Sequence, residues 1–341
     1  MALHQSTTNA FELVDRTEDV ILLPQNWTLM NDSGMWQDEY LSTRTVTFEE
    51  QNGSLAIIKD SVPGSKPQTQ NNVVRKLHSY GMTNHTLVDA IYPQDIAGVT
   101  RPGSMGKELD TKDAAVLRKM ERIRKSYDRT LNLARFKTLA TGQQWAPNGT
   151  VTVDFFSDFG LTQNSVNFAL GTGTTDIIGK CQEIIGGFQT SATEGQEIRR
   201  VVAYCGPTWF TALINHAKVQ AAYNLNSAIA PQQISRDRAG GMALYRRFMF
   251  SNIEFIEVPQ VVGGETLVPA NEAIFVADDG DGSFVTYHGP ANRFGYVNTI
   301  ATDLYLWQFE DPRATEIALE AEFAFINLLK KPNFVAKGTN T

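Results

Sequence analysis

The chain reads as an α+β protein, and three observations predict that class. Residues 111 to 141 repeat apolar side chains every three or four positions, the period of a helix. Near the C-terminus, Ile317, Leu319, Ala321, Phe323 and Phe325 alternate with polar or small neighbours, the period of a strand. Between them, residues 151 to 306 switch repeatedly between the two patterns. The 341 residues are 42% hydrophobic and 20% charged, enough to bury a substantial core, and the length suggests about two domains.

Residues 1 to 42 show no sustained period, yet carry Phe11, Leu13, Val20 to Leu23, Trp27, Met30, Met35 and Trp36. A disordered tail is poorer in such residues. The segment reads as an arm that packs along its own body or a neighbour's. Residues 43 to 80 read as a long hairpin: Thr43, Thr45 and Thr47 alternate with Arg44, Val46 and Phe48, Leu55 to Ile58 is a short apolar run, and Val73 to Tyr80 returns as strand. The stretch from Lys59 to Asn72 is almost wholly polar and turn-forming. A tip of that length is long for a compact hairpin and suits binding or covering a partner.

The helix over 111–141 has Asp110 or Thr111 as N-cap, Asp113 in its first turn and Gly142 as its stop. Leu117, Met120, Ile123, Tyr127, Leu131, Ala134 and Thr138 form its apolar stripe. It spans roughly 46 Å, more than a compact globule of this size needs. Nine basic residues against three acidic ones leave +6 on the helix and −13 on the rest of a chain of net charge −7.

Further along, Asp176 opens a helix carrying Ile177, Ile178, Cys181, Ile184, Ile185 and Phe188, which Gly186-Gly187 is expected to end. Val201 to Tyr204 reads as a buried strand, and Pro207 suits the first turn of the helix that follows. Residues 247 to 258 read as one strand, Gly263-Gly264 as a turn, and Ala273 to Ala277 as another strand. The C-terminal strand breaks at Lys330-Lys331-Pro332, with Phe334-Val335 as a last short strand.

The histidines (4, 78, 85, 216 and 288) have no metal-ligand spacing, and neither H-E-x-x-H, Walker A nor G-x-S-x-G occurs. Asp158-Phe159-Gly160 spells a kinase triplet without its companions. A calcium loop counted from Asp279 puts Pro290 where a bidentate Glu is required. Cys205 ends an apolar strand, the setting of an inert core thiol. The chain is therefore expected to be no enzyme and to hold no cofactor or metal. A hydrolase would need a concave polar site around Asp278 to His288. No apolar run approaches 18 residues and the first residues lack the pattern of a signal peptide, so no membrane span is expected and synthesis in a cytoplasm-like compartment is. Two cysteines make no disulfide framework.

The basic helix admits two readings: electrostatic pairing between subunits, which the acidic remainder of the chain favours, and direct nucleic-acid contact. The second would make the chain a nucleic-acid-binding oligomer using helix 111–141.

A packed arm, a loose-tipped hairpin, a long charged helix, a mixed α/β segment and a closing strand follow one another in a distinctive order. Thr45-Val46-Thr47-Phe48-Glu49-Glu50 with Gly53, Leu55-Ala56 and Pro63-Gly64 is similar to the entry into an extended E-loop. Arg118 to Thr141 occupies the place of a spine helix. Thr174-Thr175-Asp176-Ile177, Val201-Val202-Ala203-Tyr204, Pro207-Thr208-Trp209-Phe210 and Asp311-Pro312-Arg313 continue the match. With Leu328-Leu329, Pro332 and Phe334-Val335, the chain resembles the major capsid proteins of tailed phages, of the Hong Kong 97 fold, and specifically the lambda-type major head protein family.

That resemblance implies a structural subunit that builds the hexamers and pentamers of an icosahedral head around double-stranded DNA. It implies an N-terminal arm (1–42), an E-loop hairpin (43–80), a peripheral domain (81–150 and 307–341) with the spine helix, and an axial domain (151–306). Its implied partners are further copies of itself, a separate scaffolding protein, a cementing or decoration protein, the portal, and packaged DNA held by non-specific electrostatics. Assembly in the host cytoplasm and residence in the virion capsid follow from it. Pro63, Gly64 and Lys66 at the E-loop, Arg118, Arg122 and Arg129 on the helix, and Asp311 and Arg313 before the last long strand are the residues expected at subunit interfaces.

Overall fold

A computed structural model describes residues 14–22, 28–52, 74–99, 109–146, 152–192, 197–227, 235–236, 246–259, 261–262, 264–313 and 315–340. In the described part of the expected arm, β1 (Val14–Asp15), α1 (Thr17–Ile21) and β2 (Trp36–Tyr40) pack on the chain's own body. Met30 is fully buried, and its amide donates to Asn132 Oδ1 at 2.8 Å. The missing period had hidden β2, where only Trp36 is buried along the strand.

The hairpin forms as expected from β3 (Thr45–Asn52) and β4 (Val74–Gly81), antiparallel from Thr45 opposite Gly81 to Asn52 opposite Val74. Its tip, with Leu55 to Ile58, Pro63, Gly64 and Lys66, lies outside the described residues. The ring of Phe48 stacks on His78, and His78 on Phe159 at 5.1 Å, so the kinase-like triplet is a prop for the hairpin root. The strand β5 (Thr83–Ile91) and a short helix α2 (Pro93–Ile96) come next.

Helix α3 (Lys112–Thr141) begins at Thr111, whose side chain accepts from the Ala114 amide at 3.3 Å, and ends at Gly142 with φ +67°. The buried stripe includes Met120, Ile123, Tyr127, Leu131, Ala134 and Thr138. Leu117 is a correction: it is half exposed, because Ala115 and Val116 turn inward in its place. The N-terminal two-thirds of the helix packs on Leu319, Ala321, Phe323 and Phe325, the apolar face of the closing strand. Its last turns, with Leu133, Phe136 and Leu139, enter the larger core.

The segment after α3 runs α4 (Phe155–Asp158), β6 (Asn164–Asn167), α5 (Ile177–Ser191), β7 (Arg200–Cys205), α6 (Pro207–Asn215) and α7 (Ala217–Ser227). It continues through β8 (Ser235–Arg236), β9 (Arg246–Phe250), β10 (Ile253–Glu257), β11 (Val261–Val262), β12 (Glu265–Thr266) and β13 (Glu272–Asp278). Two expectations fail here. Helix α5 runs through Gly186-Gly187, since Phe188 is buried beyond them and a side chain on Gly187 would meet Asn164. Residues 247 to 258 are a tight hairpin, because Ser251 and Asn252 both take positive φ (49° and 62°), the geometry that matches strand twist.

The chain closes with β14 (Phe284–Gly289), β15 (Tyr305–Glu310), β16 (Ile317–Leu329) and β17 (Val335–Thr339). Strand β16 organises the first sheet. Its residues 317–325 pair with β5, and 317–322 with β15, so those two strands lie on opposite edges. Strand β14 covers 324–329 and shares Ala324 and Phe325 with β5, which places it end to end with β15 along one edge. The order of the second sheet is β6-β17-β13-β7-β10-β9-β8. The expected boundaries at residues 151, 306 and 307 do not follow the sheets. Strand β14 belongs with β16, and β17 returns past Pro332 to pair with β13 in the other sheet.

Candidate subunit interface

The residues that could have carried catalysis are packed away. Cys205 is buried and burial pushes its thiol well up, which keeps it protonated and unreactive. His216 is buried with Nε2 3.0 Å from the Thr172 carbonyl. The acidic turn at 278–283 is already occupied: Asp278 takes Arg200 at 2.7 Å, and Asp279 takes Ser283 Oγ at 2.5 Å with Lys331 nearby at 3.6 Å. His288 is buried against Asp38 at 2.9 Å rather than open to a cleft. Among the described residues no group of three metal-ligating side chains converges.

The charge of α3 is mostly spent inside the chain. Lys112 pairs with Glu310 at 2.9 Å, Arg118 with Asp110, Lys119 with Asp89 at 2.6 Å and Lys137 with Glu265 at 3.2 Å. Two arginines are buried. Arg124 lies 3.5 Å from both Asp128 and Asp303 and over the Tyr127 ring. Arg135 donates to Asp38, to Thr286 Oγ1 at 3.0 Å and to Asn31 Oδ1 at 3.2 Å. Burial pushes the Asp38 carboxyl up, but the His288 hydrogen bond and the Arg135 charge outweigh it and hold it below the usual range. Arg122, Lys125 and Arg129 remain exposed and, among the described residues, form no ion pair.

The residues expected at interfaces therefore fall into separate groups. Pro63, Gly64 and Lys66 lie outside the described residues. Arg118 is committed to Asp110, whereas Arg122 and Arg129 face solvent. Asp311 shapes the turn before β16 by accepting from Thr315 Oγ1 at 2.7 Å and from the Arg313 amide at 3.3 Å, leaving the Arg313 side chain exposed. The Lys112–Glu310 pair sets this turn beside the start of α3.

Sequence reasoning missed the loop from 290 to 300. Phe294 there is fully exposed, with Val297 and Ile300 exposed beside it. The loop is nevertheless rigidly held. Tyr296 packs edge-on against Tyr305 at 4.9 Å and bonds to Asp15. Arg293 lies 3.8 Å over the Trp307 ring and pairs with Glu320, the Asn292 amide donates to Glu322 at 2.9 Å, and the Ala301 amide donates to the Leu41 carbonyl at 3.0 Å. A fixed loop that offers a bare aromatic ring is the arrangement of an interface anchor. The available signal was Phe294 itself, set between Arg293 and Gly295 in a turn-rich stretch with no period to bury it. Leu77 on β4 and Val88 on β5 are further exposed apolar residues.

The profile of the family described as Phage major capsid protein E matches residues 15–340. The major capsid protein of Pseudomonas phage KPP10 is 34% identical over 345 residues, covering 98% of each chain. Among solved structures, the capsid of cyanophage A-1(L) superposes with a TM-score of 0.54 at 11% identity, covering 94% of both chains. The mature capsid of bacteriophage PhiM1 gives 0.53 at 11% identity over 94% of this chain and 88% of its own. At such identities the structures speak for the fold alone, and that fold is the Hong Kong 97 type. With the profile spanning nearly the whole sequence, the chain belongs to the phage major capsid protein E family, structural proteins of the virion capsid rather than enzymes.

Proposed function

We propose that the chain self-assembles into the hexamers and pentamers of an icosahedral phage head that encloses double-stranded DNA. The observation that carries this reading is the well-braced loop at 290–300, whose Phe294 ring is covered by none of the described residues. Burying a phenylalanine side chain contributes about 1.5–3 kcal/mol. Repeated at every contact of a closed shell, individually weak interfaces of that kind suffice. The β3–β4 hairpin, anchored at its root by Phe48, His78 and Phe159, is the E-loop that reaches over a neighbour, with Pro63, Gly64 and Lys66 at that contact. The turn at Asp311 and Arg313, beside the N-terminal end of α3 and Arg118, forms another contact.

In this reading the sheet built on β16, with α3 as spine, is the peripheral domain. The seven-stranded sheet is the axial domain around the five-fold and six-fold centres. Subunits first close a loosely paired procapsid in the host cytoplasm, guided by a scaffolding protein and a portal. They then repack their interfaces as DNA enters, and a cementing protein completes the shell. The alternative, a small nucleic-acid-binding oligomer, has less support, because six of the nine basic residues on α3 are neutralised within the chain. Sedimentation and negative-stain microscopy of the expressed chain, with and without its scaffold, test the proposal. Closed shells, hexamers or aberrant tubes are expected. A monomer or dimer under both conditions argues against it.

A further inference from the structure

Among the described residues, three cations on α3 are left without an ion pair. Arg122, Lys125 and Arg129 follow one another at i, i+3 and i+7, within an arc of about 60° of the helix surface. That arc lies almost opposite the stripe of Met120, Ile123, Tyr127 and Leu131 that packs on β16, so the three side chains point directly away from the sheet. The neighbouring Ser126 and Thr130 hydroxyls are turned back onto the helix, bonding the Arg122 and Ser126 carbonyls at 2.9 and 2.8 Å. Asp128 is buried on Arg124, and Glu121, one helical turn before Lys125, borders the strip but forms no ion pair with it among the described residues.

The chemistry of this strip differs from that of the other exposed surfaces. Protein interfaces are anchored by apolar and aromatic residues. Among the described residues, exposed apolar ones outside the strip include Phe294, Val297 and Ile300 on the loop, Val88 on β5, Leu77 on the hairpin and, on α3 itself, Leu117, more than a turn before Arg122. The strip from 122 to 130 holds no exposed apolar anchor, only cations and alcohols. An uninterrupted row of cations suits a repeating polyanion whose charges recur at regular intervals and need no shape complement.

We propose that Arg122, Lys125 and Arg129 form a phosphate-binding strip that faces the lumen of the shell and contacts the backbone of packaged duplex DNA without reading its sequence. This rests on the capsid reading and gives these arginines a different partner from the neighbouring subunit to which the sequence assigned them. Three neutralised phosphates contribute a slope of up to about 2.7 to the fall of log K with log salt. Arg118, bound to Asp110, contributes little to it.

The test is a titration of the unassembled full-length chain with a short duplex between 50 and 200 mM salt, together with the yield of empty shells made without DNA. The triple substitution R122Q/K125Q/R129Q is expected to flatten the salt slope by two to three and to leave empty-shell yield at the wild-type level, with circular dichroism unchanged. Neutralising Lys76 and Lys218, exposed cations off the helix, is expected to leave the slope as it is. An unchanged slope in the triple variant overturns the proposal. So does a loss of empty shells by that variant while the wild type builds them, since the strip would then be a contact between subunits. A wild-type chain that builds no shell either with or without its scaffolding protein contradicts the capsid reading itself, and this inference with it.

Discussion

Arg135, near the C-terminal end of the spine helix, reaches to Asp38 on β2, so the N-terminal segment is locked to the helix by a pair between a buried guanidinium and a partly exposed carboxylate. The same guanidinium bonds Thr286 on β14 and Asn31, and His288 from β14 bonds the same carboxylate oxygen of Asp38. Three elements distant in sequence thus meet on one arginine. A buried charge of this kind is costly to leave unpaired.

Substituting Asp38→Ala should therefore destabilise the subunit by about 1–3 kcal/mol, because Arg135 stays buried without its carboxylate. Chemical denaturation of the unassembled chain measures it. A loss below about 1 kcal/mol would mean that Thr286 and Asn31 suffice to hold the guanidinium.

His85 on β5 lies stacked on Phe323 and Phe325, with ring centroids 4.9 and 5.0 Å away. Burial there pushes its imidazole down to about 4 from 6.5. The folded subunit keeps this histidine neutral while the unfolded chain takes up a proton. Its contribution is complete above pH 6.5 and is lost as pH falls toward 4. Stability measured at pH 7 and pH 4.5 should drop more for the wild type than for His85→Leu, and equal drops would remove His85 from the acid response.

Gly142 stops the spine helix in the left-handed region, and a Cβ there would overlap the Phe156 ring. Gly142→Ala combines backbone strain of about 1–2 kcal/mol with that overlap. A fall in thermal stability worth 2 kcal/mol or more is expected, and a neutral result would show that the helix end can shift.

Phe294 makes the opposite case. Because its ring is open in the subunit, Phe294→Ser should leave unfolding within about 0.5 kcal/mol of wild type. Shell yield by sedimentation should nevertheless fall at least tenfold. Wild-type yields would take this loop out of the interface.

The spine helix and the closing strand were legible because the first two-thirds of the helix and the start of the strand bury one face more than the other, which leaves a clean period. Ile317, Leu319, Ala321, Phe323 and Phe325 all reach the core against α3. Strand β5 left no such trace: it packs on the edge of β16 with Leu87 and Val88 exposed, so its residues do not alternate. Glycine and turn signals misled where tertiary packing decided otherwise. The α5 helix continues past Gly186-Gly187 because Phe188 has a core site to fill. The hairpin at Ser251-Asn252 carries no glycine to announce it. Charge on α3 was visible as a sum, but the partners Asp38, Asp89, Glu265, Asp303 and Glu310 come from distant segments. Only the fold separates six spent cations from three free ones.

The central claim is that copies of this chain meet through the loop at 290–300 and the β3–β4 hairpin to close a shell. An electron cryo-microscopy reconstruction of the assembled particles tests it most directly. The account predicts five-fold and six-fold capsomers with Phe294 covered by a neighbouring subunit and the hairpin laid across another. Particles in which Phe294 stays bare and the hairpin touches only its own subunit would contradict it.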